Sequence, residues 1–185
     1  MEIIYRTLSH TDMSLSQVEQ LYESAFPADE RRDFSDFVAL LATDNTPFAV
    51  IGAFDGDTLL AFLSYWQLDC KVVYGEHFAV IPQMRGQGLG RTMLTHFLDN
   101  VSSDMVLEVE PPIEPIAVRR VKFYETLGFK FHGDFSYTQP PYGPGKSELP
   151  MNLMTHGHVS PQQLVGAVAE IRVKVYGCKP QPSAE

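Results

Sequence analysis

The chain has 185 residues, of which 44% are hydrophobic, and a net charge of −9; this length supplies one sizeable core and makes one domain the expectation. The negative charge opposes contact with a phosphate backbone, and no basic run with interleaved aromatics offsets it, which argues against a nucleic acid partner. Cys70 and Cys178 are too few for a disulfide scaffold or a four-ligand zinc site, and the apolar runs at 49–54 and 59–63 are far short of the roughly 20 residues that span a bilayer. Without a basic-then-apolar leader, the sequence predicts a soluble, cytoplasmic protein with no membrane contact.

Residues 2–8 read as a first strand. Residues 14–26 form a helix with Leu15, Val18, Leu21, Tyr22 and Ala25 on one face, ended by Pro27. A second short helix, capped by Asp33 or Ser35, runs to Leu41. Residues 48–54 and 58–67 make a hairpin around Asp55-Gly56-Asp57. A strand over 72–80 precedes Pro82, and a glycine-rich turn then opens a helix over 89–98.

Residues 104–110 form the next strand, with Pro111 and Pro112 stopping it. A helix over 116–127, with Gly128 as its stop, leads to a strand over 129–135. The Pro- and Gly-rich stretch 139–145 is loop, and a strand over 151–155, a helix over 161–175 and a tail frayed after Lys179 complete the chain. This alternation predicts an α/β (α+β) fold, a twisted mixed sheet with helices on both faces.

In Arg85-Gly86-Gln87-Gly88-Leu89-Gly90-Arg91, three alternate glycines stand between an apolar strand and an amphipathic helix. Such a turn lets successive N–H groups point into one concavity, where the positive end of the helix dipole attracts phosphate. Arg85 and Arg91 supply charge at the rim. A dinucleotide-binding G-x-G-x-x-G pattern needs glycine where this chain has Arg91, which weakens that reading, although Glu108 lies near the distance expected of its ribose-binding acid.

Arg85-Gly86-Gln87-Gly88-Leu89-Gly90 resembles the R/Q-x-x-G-x-G/A acetyl-CoA signature of the GNAT superfamily of N-acetyltransferases. The element order agrees from residue 2 to about 135, and Tyr124-Glu125-Thr126-Leu127-Gly128-Phe129 resembles the family's Y-E-x-x-G-F. The resemblance implies a single N-acetyltransferase domain over 1–185, a mostly antiparallel sheet with a central strand splay, and acetyl-CoA as acyl donor with no metal. It implies that the amides of Arg85, Gly86, Gln87, Gly88, Leu89, Gly90 and Arg91 hold the pyrophosphate and that the backbone of Phe78, Ala79 and Val80 pairs with pantetheine. One departure is Ala117, where the family often has asparagine.

Acyl transfer to an amine needs a free nucleophile, an oxyanion donor and a proton for the leaving thiolate. By resemblance Tyr124 is the acid. Glu76 shares a strand face with Phe78 and Val80 under alternation and is the candidate base, with Glu108 and Glu110 on the next strand comparable. Collectively these carboxylates suggest an acidic pocket for a primary amine. Glu30, in the charged turn at 26–32, and Tyr142 are further acceptor-contact candidates, while His77 is expected to be structural. A CoA-binding sensor without turnover is the rival function, and a homodimer is left open.

Overall fold

The computed structural model describes residues 2–101 and 103–180. The expected tail after Lys179 falls largely outside this range, since residues 181–185 are not described. Among the described residues, seven strands and five α-helices make a mixed α/β fold with an open, mostly antiparallel sheet. No helix among them is long and apolar enough to cross a membrane. The described residues divide into two compact units, 2–66 with 75–101, and 67–74 with 103–180.

In the first unit β1 (Ile4–Thr7), β2 (Phe48–Asp55) and β3 (Thr58–Gln67) run antiparallel, with Ile4 opposite Phe54 and Phe48 opposite Trp66. The β2–β3 turn is tight because Gly56 takes φ 58, a conformation that glycine adopts without steric cost. α1 (Leu15–Ala25) buries Leu15, Val18, Leu21 and Tyr22, the stripe its spacing predicts. Tyr22 lies among Phe37, Phe34 and Phe26 at ring-centroid distances of 5.2, 6.0 and 5.8 Å. α2 (Phe34–Ala42) follows a short 3₁₀ turn at Ala28–Glu30. β4 (Val72–Val80) starts in residues of the second unit and continues in the first, and α3 (Leu89–Asn100) buries Leu89, Met93, Leu94 and Phe97.

In the second unit β5 (Asp104–Val109) pairs with β7 (Leu149–His156), which pairs with β6 (Lys130–Gln139), all antiparallel. β6 runs four residues beyond the predicted end at 135. Its register breaks between His132 and Tyr137, so residues 133–136 loop out before pairing resumes at Tyr137 opposite Met151. α4 (Pro115–Glu125) ends as Gly128 turns back at φ 87 and the Phe129 amide donates to the Tyr124 carbonyl at 3.1 Å. α5 (Pro161–Lys174) opens with a capping box between Ser160 and Gln163 and buries Leu164, Ala167 and Ile171.

Candidate active site

The glycine turn belongs to the first unit. β4 ends at Val80, the Ile81 amide donates to the Leu60 carbonyl at 2.9 Å, and a 3₁₀ turn at Pro82–Met84 redirects the chain. Arg85 folds back so that its Nε donates to the Val80 carbonyl at 2.9 Å, and Gln87 Nε2 donates to the Gln83 carbonyl at 2.6 Å. Gly86 and Gly88 take φ 74 and 85, and a Cβ built on either meets no atom within 4 Å. The backbone therefore demands glycine, while the space in front of it is open. Gly88 is the N-cap of α3, and helix geometry gives the next amides, Leu89 and Gly90, no intrahelical acceptor. Leu89 anchors the helix, being buried, so only its backbone can face a ligand.

On β4, Phe78 and Val80 are half-buried and Ala79 is buried, matching strand alternation. Glu76 lies on the same face, yet its side chain is fully enclosed. One oxygen is bonded by the Arg32 guanidinium and the other accepts from Trp66 Nε1 at 3.0 Å. Burial alone would raise its pKa, but Arg32, then His77 and Trp66, outweigh burial and bring it down to about 2. Glu76 is thus ionised and hydrogen-bonded on both oxygens, a weak proton acceptor at neutral pH.

The same contacts pin the charged turn before α2. His77, buried, donates from Nε2 to the Glu30 carbonyl at 2.9 Å and meets Tyr22 and Phe26 edge-on at 4.9 and 4.6 Å. Arg31 donates to the Phe26 carbonyl at 3.1 Å and pairs with Glu23 at 3.3 Å. Glu30 is placed here through its carbonyl, and His77 is held in the core by these contacts.

In the second unit Tyr124 is buried on α4, with Phe123 and Phe129 edge-on at 5.3 and 5.4 Å. Burial pushes its phenol up to about 12, and Arg120 one turn earlier moderates the rise. Arg120 also forms an ion pair with Glu110, whose side chain keeps 30% of its exposure. Tyr124, Arg120 and Glu110 therefore form one neighbourhood. Glu108, two residues earlier along the chain, has other partners: its Oε1 accepts from Tyr137 at 2.5 Å and its Oε2 from Tyr176 at 2.9 Å. Tyr142 joins this second cluster by packing on Tyr176, ring centroids 4.9 Å apart.

Arg32, Arg120, Tyr137 and Tyr176 are the polar partners that sequence reasoning did not assign. Alternation tells which face a carboxylate takes but not which distant residue meets it there. Ala117 is buried in the α4 core and offers no polar atom in place of the family asparagine. Among the described residues no group of three or more His, Cys, Asp and Glu side chains could hold a metal ion.

A glycine-lined turn that leads from a strand into the N-terminus of a 12-residue helix makes this a mixed α/β protein with an element suited to phosphate esters. The family model described as Acetyltransferase (GNAT) family matches residues 15–129, more than half the chain. The chain belongs to that family. No curated protein matches it. Among solved structures, a protein from Bacteroides thetaiotaomicron assigned to the GNAT acetyltransferases is 32% identical over 95% of this chain and 99% of its own, with a TM-score of 0.86. The ribosomal-protein-S18-alanine N-acetyltransferase from Escherichia coli shares the fold at 20% identity, covering 84% of this chain and 93% of that one, TM-score 0.60. An aminoglycoside 6'-N-acetyltransferase complexed with coenzyme A does so at 18%, covering 82% and 95%, TM-score 0.58.

Proposed function

We propose that this chain transfers an acetyl group from acetyl-CoA to a primary amine. The observation that carries the reading is the open glycine turn, where Gly86 and Gly88 hold left-handed backbone with nothing in front of them. Acetyl-CoA supplies the acetyl group as a thioester. The amides from Arg85 to Arg91 hold its pyrophosphate, and the backbone of Phe78, Ala79 and Val80 binds its pantetheine in strand fashion.

Tyr124 is the acid. A phenol near 12 keeps its proton at rest and donates a hydrogen bond to the leaving sulfur, passing the proton where dry surroundings raise the sulfur's own affinity for it. The low pKa and double engagement of Glu76 favour a positioning role for it, through Arg32, over the base role its strand face suggested. Glu110, partly exposed and beside Arg120, is better suited to take the amine's proton directly or through one water.

The test is thiol release from acetyl-CoA across a panel of primary amines, with the product's mass as confirmation. Equal amounts of CoA and N-acetylated amine are expected. CoA binding with no release from any amine would support a sensor instead.

A further inference from the structure

The solvent-exposed positions of α5 are Pro161, Gln162, Val165, Ala169 and Val173, and none is charged, although 20% of the chain's residues are. Val165 keeps 59% of its exposure and Val173 38%. A rotation of about 100° per residue sets Val165, Ala169 and Val173 within about 80° of one another, in one stripe about 12 Å long. A surface helix ordinarily turns its charges outward; those of α5 are used inside the unit. Glu170 accepts the Asp69 and Cys70 amides at 2.6 and 2.9 Å and pairs with Lys174 at 3.0 Å, and Arg172 donates to the Thr138 carbonyl at 3.5 Å.

The apolar surface continues onto β6, the last strand in the sheet order. A cavity of about 410 Å³ opens between α5 and β6, walled by Phe131, Phe135, Leu164 and Val165. Lys130 and Asp134, exposed and opposite in sign, also line it, and among the described residues neither has an ion-pair partner in its own chain. His132, in the same wall, has its pKa lowered by burial and by Lys130, so it is neutral at pH 7. The loop-out at 133–136 interrupts the strand edge, which leaves contact here to side chains. A nucleic acid or an anionic membrane requires positive charge, and a basic protein requires negative charge. Cavity and stripe instead carry one charge of each sign around an apolar centre, the pattern of a surface that is its own complement. A two-fold axis sets residue i of one copy against j of the other and j against i. We propose that this face of α5 and β6 is a homodimer interface, with the stripes of two copies packed together and Lys130 of each copy set against Asp134 of the other.

The rival explanation is a stripe that simply faces water, and the oligomeric state separates the two. Sedimentation equilibrium of the full chain should show monomer and dimer with a Kd of roughly 1–100 μM. Val165→Asp, made at an exposed position, should weaken association at least about tenfold by burying an unpaired carboxylate in the contact. Lys130→Glu and Asp134→Lys should each weaken it about tenfold, because each creates two like-charge contacts across the two-fold. An equimolar mixture of these two variants should recover wild-type affinity, since every facing pair in the mixed dimer is again opposite in sign. Such recovery requires contact between copies and cannot come from a change within one fold. A chain that stays monomeric at about 1 mM, a dimer indifferent to Val165→Asp, or a mixture as weak as its parts overturns the interface. The readout involves neither acetyl-CoA nor an amine, so it stands or falls apart from the transferase reading.

Discussion

Gly88→Asp tests the glycine turn because its effects on folding and on binding separate. A side chain at φ 85 costs roughly 1–2 kcal/mol for most residues and less for Asp and Asn, which tolerate the left-handed region. No atom lies within 4 Å of the new Cβ, so the folding cost is confined to the backbone. For a chain of this size that lowers Tm by only about 2–4 °C per kcal/mol. In binding, a carboxylate about 5 Å from a phosphate at an effective dielectric near 20 adds roughly 3 kcal/mol of repulsion, about a hundredfold in Kd. Gly88→Asn brings similar bulk without the charge. Calorimetric titration with CoA should rank wild type tightest, Asn intermediate and Asp weakest. Because the turn is exposed, the gap between Asn and Asp should narrow as salt rises. Folded Gly88→Asp protein that binds CoA as wild type does, or an Asn variant as weak as Asp at low salt, would refute the placement.

Tyr124→Phe should keep CoA affinity within about twofold while lowering kcat about a hundredfold or more where chemistry limits the rate; retained kcat under those conditions removes Tyr124 from the acid role. Glu76→Gln breaks a buried pair and should cost about 3–5 kcal/mol in urea titrations. The folded pKa of Glu76, about 2, lies below its unfolded value of 4.5, so the pair's contribution is complete above about pH 4.5 and is lost as pH falls through about 2. The stability gap between wild type and variant should therefore shrink over that window, and recovery of Glu76→Gln activity at high pH would instead restore the base role. Glu170→Gln removes a carboxylate that accepts the Asp69 and Cys70 amides at 2.6 and 2.9 Å and pairs with Lys174 at 3.0 Å. It should cost about 1–3 kcal/mol, read as a lower thermal midpoint, and an unchanged midpoint would show that water replaces these bonds.

Much of the fold was legible because local physics decides it. β4 runs over Val72–Val80 as predicted, and the helix stripes of α1 and α3 follow their apolar spacing. The glycine turn was legible for the same reason, since left-handed backbone at Gly86 and Gly88 is a demand that one residue type meets. The bulge in β6 was not, because the Gly133-Asp134 pair suits a turn at a strand end as well as a bulge inside a strand, and only pairing with β7 decides between them. Least legible were the partners of the carboxylates. Arg32 lies 44 residues from Glu76 and Tyr176 lies 68 from Glu108, and these pairings arise from tertiary placement, which strand alternation does not encode.

The placement of the acyl donor is tested most directly by amide NMR during a CoA titration of uniformly ¹⁵N-labelled protein. The largest and saturable shifts should fall on the amides of Gly86, Gln87, Gly88, Leu89 and Gly90, with smaller ones along Phe78, Ala79 and Val80. Saturable shifts that leave these amides unmoved and appear elsewhere would contradict the account.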